Sequence, residues 1–208
     1  MKIICIGRNY AAHAAELGND RPSEPLVFMK PGSAILPNNK PFYYPEFSKD
    51  IHYELELVVK IAKNGRHVQP QFALDYVASI GLGLDLTARD LQQQCKERGH
   101  PWEIAKAFDH SAPLSQDFLP PEEFTDLNDI EFTLTKNGQR VQHGRSHLML
   151  FPLTELIGYV SRYFRLQKGD LLFTGTPEGV GPLTIGDELV GTITTRSGER
   201  ELLRTRIK

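Results

Sequence analysis

The chain has 208 residues, with 24 Lys and Arg against 26 Asp and Glu, and its formal charge is −2. This length favours one domain, the ordinary hydrophobic and charged content argues against disorder, and the near-neutral balance excludes a dominant nucleic-acid-binding face. Two distant cysteines form no disulfide framework, and no apolar run suits a signal sequence or a membrane span, so we expect a cytoplasmic protein without nucleic-acid or membrane partners.

The first half of the chain predicts alternating strands and helices around a proline-rich stretch. A buried strand at Ile3–Ile6 precedes a helix over Tyr10–Leu17, which Asn9 would cap and Gly18 would end. Residues 19–50 contain six prolines and predict loops with short extended segments. The further predicted elements are a strand over His52–Ala62 followed by a hairpin-type turn at Asn64-Gly65, a buried strand over Ala78–Asp85 and a helix over Thr87–Arg98 ended by Gly99.

The second half predicts mainly strands. Alternating apolar residues from Ile130 to Leu134 precede Asn137-Gly138, the strongest hairpin signal in the chain. Pro152 opens a helix whose apolar residues recur at helical spacing as far as Phe164. Strands follow at Leu171–Thr174, Glu188–Thr194 and Glu201–Ile207. Because strands outnumber helices and no regular βαβ rhythm occurs, we expect a β-rich α+β fold.

Three acidic residues are candidates for a metal site. Glu54 and Glu56 would lie on one face of a strand, roughly 6.5–7 Å apart, and their repulsion would be relieved by solvent, a basic partner or a cation. Asp85 ends an apolar run, where a buried carboxylate needs a partner or a metal. A solvated strand face for the glutamates and a helix-capping role for Asp85 are the alternatives. Together the three would form a hard oxygen site that suits Mg²⁺ or Mn²⁺ better than zinc.

Four segments, in series, resemble the fumarylacetoacetate hydrolase family. They are Glu54-x-Glu56, residues 83–92 (GLDLTARDLQ), residues 106–109 (KAFD) and residues 174–181 (TGTPEGVG). With Gly7-Arg8-Asn9-Tyr10 near the start, the chain looks most like the short acylpyruvase and oxaloacetate-processing members. The resemblance implies a mixed β-sheet roll around a metal site and a homodimer. It implies a single catalytic domain over 1–208, whose segment 1–50 supplies a strand, a lid helix and pocket-bordering loops.

The resemblance also implies a role for each matched residue. Glu54, Glu56 and Asp85 match the metal carboxylates, which usually bind Mg²⁺, and Mn²⁺ is an alternative. Lys106 matches a catalytic lysine that places positive charge on a developing oxyanion. The matched substrate-binding residues are Arg8, Lys30, Arg89, Gln92 and Thr176. Taken alone, these lysines and the Arg89–Gln92 pair are also typical of turns and solvated surfaces, and the loop that holds Thr176 is also typical of a strand connection.

His13 and Glu16 form a further candidate pair. They are three residues apart on the predicted first helix, so their side chains can meet on one face. A carboxylate bound to one imidazole nitrogen fixes the tautomer and leaves the other nitrogen free to take a proton from water. A His-x-x-Glu pair is usually solvated, but the resemblance makes these residues a catalytic dyad on the lid helix.

The implied activity is metal-dependent chemistry on 2-keto and 2,4-diketo acids. The first expectation is hydrolysis of the C–C bond of 3-acylpyruvates, such as acetylpyruvate or fumarylpyruvate, to pyruvate and an acid through an enolate. Oxaloacetate decarboxylation or keto–enol tautomerisation would use the same charge stabilisation. The enzyme alternative is an isomerase or decarboxylase of the 2-hydroxyhepta-2,4-diene-1,7-dioate or carboxymethyl-hydroxymuconate type. A non-catalytic binding protein that keeps the pocket is the other alternative.

Overall fold

The computed structural model describes residues 1–18, 20–37 and 40–208 and confirms a strand-rich α+β fold. Asn19, Asn38 and Asn39, part of the predicted pocket-bordering loops, lie outside the described residues. The strands are β1 (Ile3–Gly7), β2 (Leu26–Lys30), β3 (Ile35–Leu36), β4 (Ile51–Tyr53), β5 (Leu55–Ile61), β6 (Val77–Leu84), β7 (Thr87–Ala88), β8 (Ala112–Pro113), β9 (Glu131–Lys136), β10 (Gln139–Arg145), β11 (Leu171–Phe173), β12 (Gly181–Pro182), β13 (Glu188–Thr195) and β14 (Gly198–Arg206). The helices are α1 (Ala11–Glu16), α2 (Arg89–Arg98), α3 (Glu103–Lys106) and α4 (Leu153–Tyr163).

The strands that the structure describes form two larger and two smaller sheets. The largest has the order β2-β1-β11-β5-β6, in which β1 and β11 are parallel and the other neighbours antiparallel. A second, antiparallel sheet has the order β10-β9-β13-β14. The smaller sheets are β12-β4-β7 and β3-β8. The chain therefore changes sheets between β4 and β5, at Glu54.

Strand β5 runs through the centre of the core. Leu55, Leu57 and Val59 point to one face of the strand and are fully buried in the main hydrophobic cluster, as their alternation with the glutamates predicts. On α4, the predicted apolar stripe is also buried, and the helix packs against the 3-10 segment Pro70–Tyr76. The buried face of β5 therefore anchors Glu56 and the adjoining Glu54 to the core.

Several predicted turns and helix ends are confirmed. Asn137 and Gly138 both have positive φ, as the tight turn between β9 and β10 requires. Gly99, with φ +66°, terminates α2 in the left-handed conformation that glycine adopts without a Cβ penalty.

Three local predictions were wrong. Asn9 does not cap α1, because its buried side chain instead hydrogen-bonds Phe151 and Thr174. Asn64-Gly65 does not form a tight hairpin turn, because the connection between the antiparallel neighbours β5 and β6 extends over residues 62–76 and Gly65 forms a bridge with Leu166. The helix predicted from Thr87 begins at Arg89, because residues 87–88 extend and pair with β4.

No helix within the described residues is both long and apolar enough to cross a bilayer.

Candidate active site

Strand register brings the three predicted carboxylates together. Leu55 pairs with Leu84, and the Asp85 amide donates a hydrogen bond of 2.8 Å to the Glu54 carbonyl, so Glu54 and Asp85 lie opposite each other. Directly opposed residues of antiparallel strands share a face, and Glu56 lies two residues along on that face. All three side chains are buried, and one oxygen of each lies within 4.8 Å of the others. This geometry agrees with the predicted acidic cluster and disagrees with the alternative in which the two glutamates lie on a solvated strand face.

The two glutamates have opposite electrostatic environments. Burial alone would raise the pKa of Glu54, but the charges of Lys106 and Arg89 outweigh it and hold that pKa well below its usual range. Burial and the Asp85 charge instead raise the pKa of Glu56 well above its usual range, although the Gly175 amide donates a 2.7 Å hydrogen bond to its carboxylate. Glu56 therefore lacks an adjacent cation to stabilise its ionised form.

Lys106, at the end of α3, joins two of the carboxylates. Its ammonium donates to Glu54 at 2.9 Å, to Asp85 at 2.6 Å and to Thr87 at 2.6 Å. Burial lowers the pKa of Lys106, but the charges of Asp85 and Glu54 more than reverse this, so the ammonium form is retained. Arg89 completes the arrangement by donating to Glu54 at 2.5 Å and to Gln92 at 2.7 Å.

Lys30 lies behind Asp85, outside the cleft that contains Lys106. Its buried Nζ is 2.8 Å from Asp85 Oδ1 and donates to the Ser111 hydroxyl and to the Lys106 carbonyl. The structure thus gives Lys30 a supporting position beneath the carboxylates, and its predicted contact with substrate stays a prediction.

The donor set fits a divalent cation. Three buried carboxylate oxygens converge within 4.8 Å of one another, and Lys30 and Lys106 balance part of their negative charge. Hard oxygen ligands of this kind are those that Mg²⁺ and Mn²⁺ prefer, whereas zinc favours histidine and cysteine. Glu54, Glu56 and Asp85 would hold the ion.

The loop over residues 174–181 closes one side of the carboxylate cluster. Gly175 adopts φ +101° and presents its amide to Glu56. The Thr176 hydroxyl donates to the Leu55 carbonyl and accepts a hydrogen bond from Gln142, so both of its contacts are to protein. A role for Thr176 in binding substrate remains a prediction.

Helix α1 covers the cleft from the other side. The ring of His13 is buried, and its Nδ1 lies 3.4 Å from Glu16, whose carboxylate also accepts hydrogen bonds from the Gly179 amide. Burial lowers the pKa of His13, so its imidazole is neutral and able to accept a proton at pH 7. The predicted pair is therefore present.

A narrow cleft of about 30 Å³ contains most of the predicted residues. Arg8 reaches it from a strained turn, since its φ of +58° is rare outside glycine. Five predicted residues do not line it: Glu16, Lys30, Glu56, Asp85 and Thr176. Among the described residues the lining comprises Gly7, Arg8, His13, Leu17, Phe28, Glu54, Arg89, Gln92, Lys96, Trp102 and Lys106.

Sequence reasoning missed four contributors. Asn9 joins the Arg8 turn to residues 151 and 174, and Gln142 bonds Leu55, Thr176 and Pro177. Neither side chain stands out in its local pattern, because each acts across long sequence separations. Trp102 lines the cleft beside Phe28, with their ring centroids 6.0 Å apart. Lys96 had a usable signal, since it follows Gln92 by four residues on the same helix face.

Fold and site together define a class of protein. A strand-rich scaffold holds a buried carboxylate centre suited to a divalent cation. Glu54 of this centre lines a narrow cleft, which is covered by a helix that bears a neutral histidine.

Comparison with known proteins assigns the family. The family model described as fumarylacetoacetate (FAA) hydrolase C-terminal matches residues 2–204. The oxaloacetate tautomerase YcgM of Escherichia coli is 43% identical over 92% of this chain and 87% of its own length. The mitochondrial oxaloacetate tautomerase FAHD1 of Bos taurus is 43% identical over 90% of this chain and 84% of its own. The chain belongs to the fumarylacetoacetate hydrolase family.

A solved structure supports the same assignment. The fumarylpyruvate hydrolase of Pseudomonas aeruginosa, in complex with Mn²⁺ and pyruvate, superposes with a TM-score of 0.91 at 38% identity. The match covers all of this chain and 89% of that one.

Proposed function

We propose that the protein is a divalent-metal-dependent enzyme that interconverts the keto and enol forms of oxaloacetate. The observation that carries this proposal is the convergence of three buried carboxylates within 4.8 Å, one of which, Glu54, lines the same cleft as His13. The names of the bovine and Escherichia coli relatives support oxaloacetate as the substrate.

Tautomerisation requires a base and a stabilised oxyanion. The neutral imidazole of His13 takes a proton from C3 of the keto acid and returns it to the enolate oxygen, and Glu16 fixes the ring orientation through Nδ1. Arg89 and Gln92 orient the substrate carboxylate, and Lys106 faces the developing charge. When bound, a divalent cation supplies further positive charge where the enolate forms.

Hydrolysis of 3-acylpyruvates is a second candidate for the same residues. The His13–Glu16 pair favours it, because a neutral imidazole can also take a proton from water as that water attacks the distal carbonyl. The C3–C4 bond then breaks and C3 receives a proton, which gives pyruvate and an acid. The fumarylpyruvate hydrolase from Pseudomonas aeruginosa supports this candidate.

A substrate panel separates the two activities. Protein treated with EDTA and then supplied with Mg²⁺ or Mn²⁺ is given oxaloacetate, acetylpyruvate and fumarylpyruvate. Enol absorbance reports tautomerisation, and a coupled lactate dehydrogenase assay reports release of pyruvate. Metal-dependent enol conversion without pyruvate supports the tautomerase, whereas pyruvate from the acylpyruvates supports the hydrolase. Full activity in EDTA would refute the metal requirement.

The predicted homodimer is a separate proposal. An apolar groove of about 900 Å³ next to α3 includes exposed side chains of Phe47 and Ile104. Covering this groove with a second copy of the chain would remove exposed apolar surface from water. Light scattering is expected to give twice the chain mass, and Ile104→Asp is expected to give the monomer. Monomeric wild-type protein would contradict the dimer.

A further inference from the structure

Positive charge exceeds negative charge in the cleft. Its lining includes four cations, Arg8, Arg89, Lys96 and Lys106, and one anion, Glu54. Glu54 already binds Arg89 and Lys106. The remaining two cations, Arg8 and Lys96, are therefore in excess over the negative charge of the lining.

Neither of these two cations is neutralised within the protein. Among the residues that the structure describes, no hydrogen bond or ion pair engages the side chain of Arg8 or Lys96. Both residues are partly buried, so water compensates their charges incompletely. Burial first, and then the Arg8 charge, lower the pKa of Lys96, which indicates a positive local potential. An anion in the cleft would relieve this repulsion.

The backbone positions both cations at a defined distance from the reaction centre. Lys96 follows Gln92 by four residues on α2, one turn or about 6 Å further along the helix. Arg8 occupies a left-handed conformation, which a non-glycine residue keeps only where its surroundings impose it. The adjacent residue, Asn9, is anchored by hydrogen bonds to Phe151 and Thr174.

We infer that Lys96 and Arg8 form a subsite for a second carboxylate, so that the enzyme selects dicarboxylic keto acids over monocarboxylic ones. This inference rests on the proposed function and extends it, because it names the residues that recognise the distal end of the substrate. The first carboxylate and the keto group lie at Arg89, Gln92 and Lys106, and the distal carboxylate lies one helical turn further out. Lys96 is thus a specificity-determining residue.

A binding experiment tests the subsite without turnover. The two ligands are 2-oxoglutarate and 2-oxopentanoate, which have the same carbon chain but differ in a terminal carboxylate. With Mn²⁺ present, calorimetry is expected to show wild-type protein binding 2-oxoglutarate at least tenfold more tightly. Lys96→Met, which keeps the apolar stem, is expected to lose most of that preference, and Lys96→Arg is expected to retain it. Equal affinities in the wild type, or an unchanged preference in Lys96→Met, would overturn the inference.

Matched controls exclude a general charge effect. Arg98→Gln removes one positive charge from the exposed end of the same helix, outside the cleft, and is expected to keep the preference. In turnover assays, Lys96→Met is expected to raise KM for fumarylpyruvate about tenfold while KM for acetylpyruvate stays within twofold. Equal effects on both substrates would reject the subsite. No turnover of any keto acid, with the binding preference intact, would reject the proposed function alone.

Discussion

Lys106 allows the electrostatics of the carboxylate centre to be tested quantitatively. Its buried ammonium donates three hydrogen bonds of 2.6–2.9 Å, two of them to Asp85 and Glu54. Replacing it with Met leaves two buried carboxylates facing each other without their shared cation. Removing one partner from a buried ion pair typically costs about 3–5 kcal/mol. For a protein of this size each kcal/mol lowers Tm by about 2–4 °C, so metal-free Lys106→Met should melt about 6–20 °C lower.

Added metal is expected to reverse part of this loss. In wild-type protein Lys106 competes with a cation for the same two carboxylates, and in Lys106→Met this competition is absent. A ligand present at 100 times its Kd stabilises the folded state by about 2.7 kcal/mol, so Mn²⁺ should raise the Tm of the variant more than that of wild type. Turnover should not recover, because the charge on the developing oxyanion remains unpaired.

Thermal unfolding by circular dichroism, in EDTA and in excess Mn²⁺, measures both effects. Lys63→Met is the matched control, because Lys63 is half-exposed and its ion pair with Asp75 is 3.6 Å long. Such surface pairs contribute about 0–1 kcal/mol. A metal-free Tm of Lys106→Met within 2 °C of this control would refute the proposed pairing. An equal Tm gain from Mn²⁺ in both proteins would refute the competition.

Three further substitutions test other parts of the structure. Glu56→Gln should abolish stabilisation by Mn²⁺ yet leave the metal-free Tm unchanged or higher. The reason is that the pKa of Glu56 is already raised, so the neutral amide resembles its protonated form. A clear drop in the metal-free Tm would contradict this. Burial would raise the pKa of Asp170, but hydrogen bonds from Lys2 and Gln167 lower it below the ordinary 3.8, so its ionised form stabilises the fold above that pH. Asp170→Asn should therefore cost about 2 kcal/mol at pH 7, with the difference shrinking as pH falls below 3.8 in urea titrations; a pH-independent difference would contradict it. Gly175→Ala places a Cβ 2.6 Å from Asn9 at φ +101° and should lower Tm and metal affinity. The control, Gly169→Ala, has a φ of +87° but no atom within 4 Å of the added Cβ, so it should show only the backbone strain. Equal losses of Tm in the two variants would argue against the steric contact.

Local sequence patterns predicted the elements well but not their connections. The Asn137-Gly138 hairpin, the apolar stripe of α4 and the Gly99 helix end each depend on a few adjacent residues, and each was confirmed. Asn9 was assigned to the wrong partner, since its amide bonds residues more than 140 positions away. An asparagine before a helix can either cap that helix or bond a distant backbone group. Sequence spacing alone does not distinguish the two.

For the carboxylate centre as well, local residue spacing predicted one part of the arrangement and the pairing register of the strands determined the rest. The two-residue spacing of Glu54 and Glu56 places them on one face, but only the pairing of Leu55 with Leu84 brings Asp85 opposite Glu54. A shift of one residue in that register would turn Asp85 to the other face and disperse the cluster.

Charge distribution distinguishes these two glutamates further. Glu54 lies at the change of sheets, where Arg89 and Lys106 reach it from α2 and α3. Glu56 lies one step inside β5, where the nearest donor is the Gly175 amide. Two carboxylates that look equivalent in the sequence therefore differ in the folded protein. Protein cations stabilise Glu54 as an anion, whereas the ionised form of Glu56 is disfavoured until a divalent ion binds beside it.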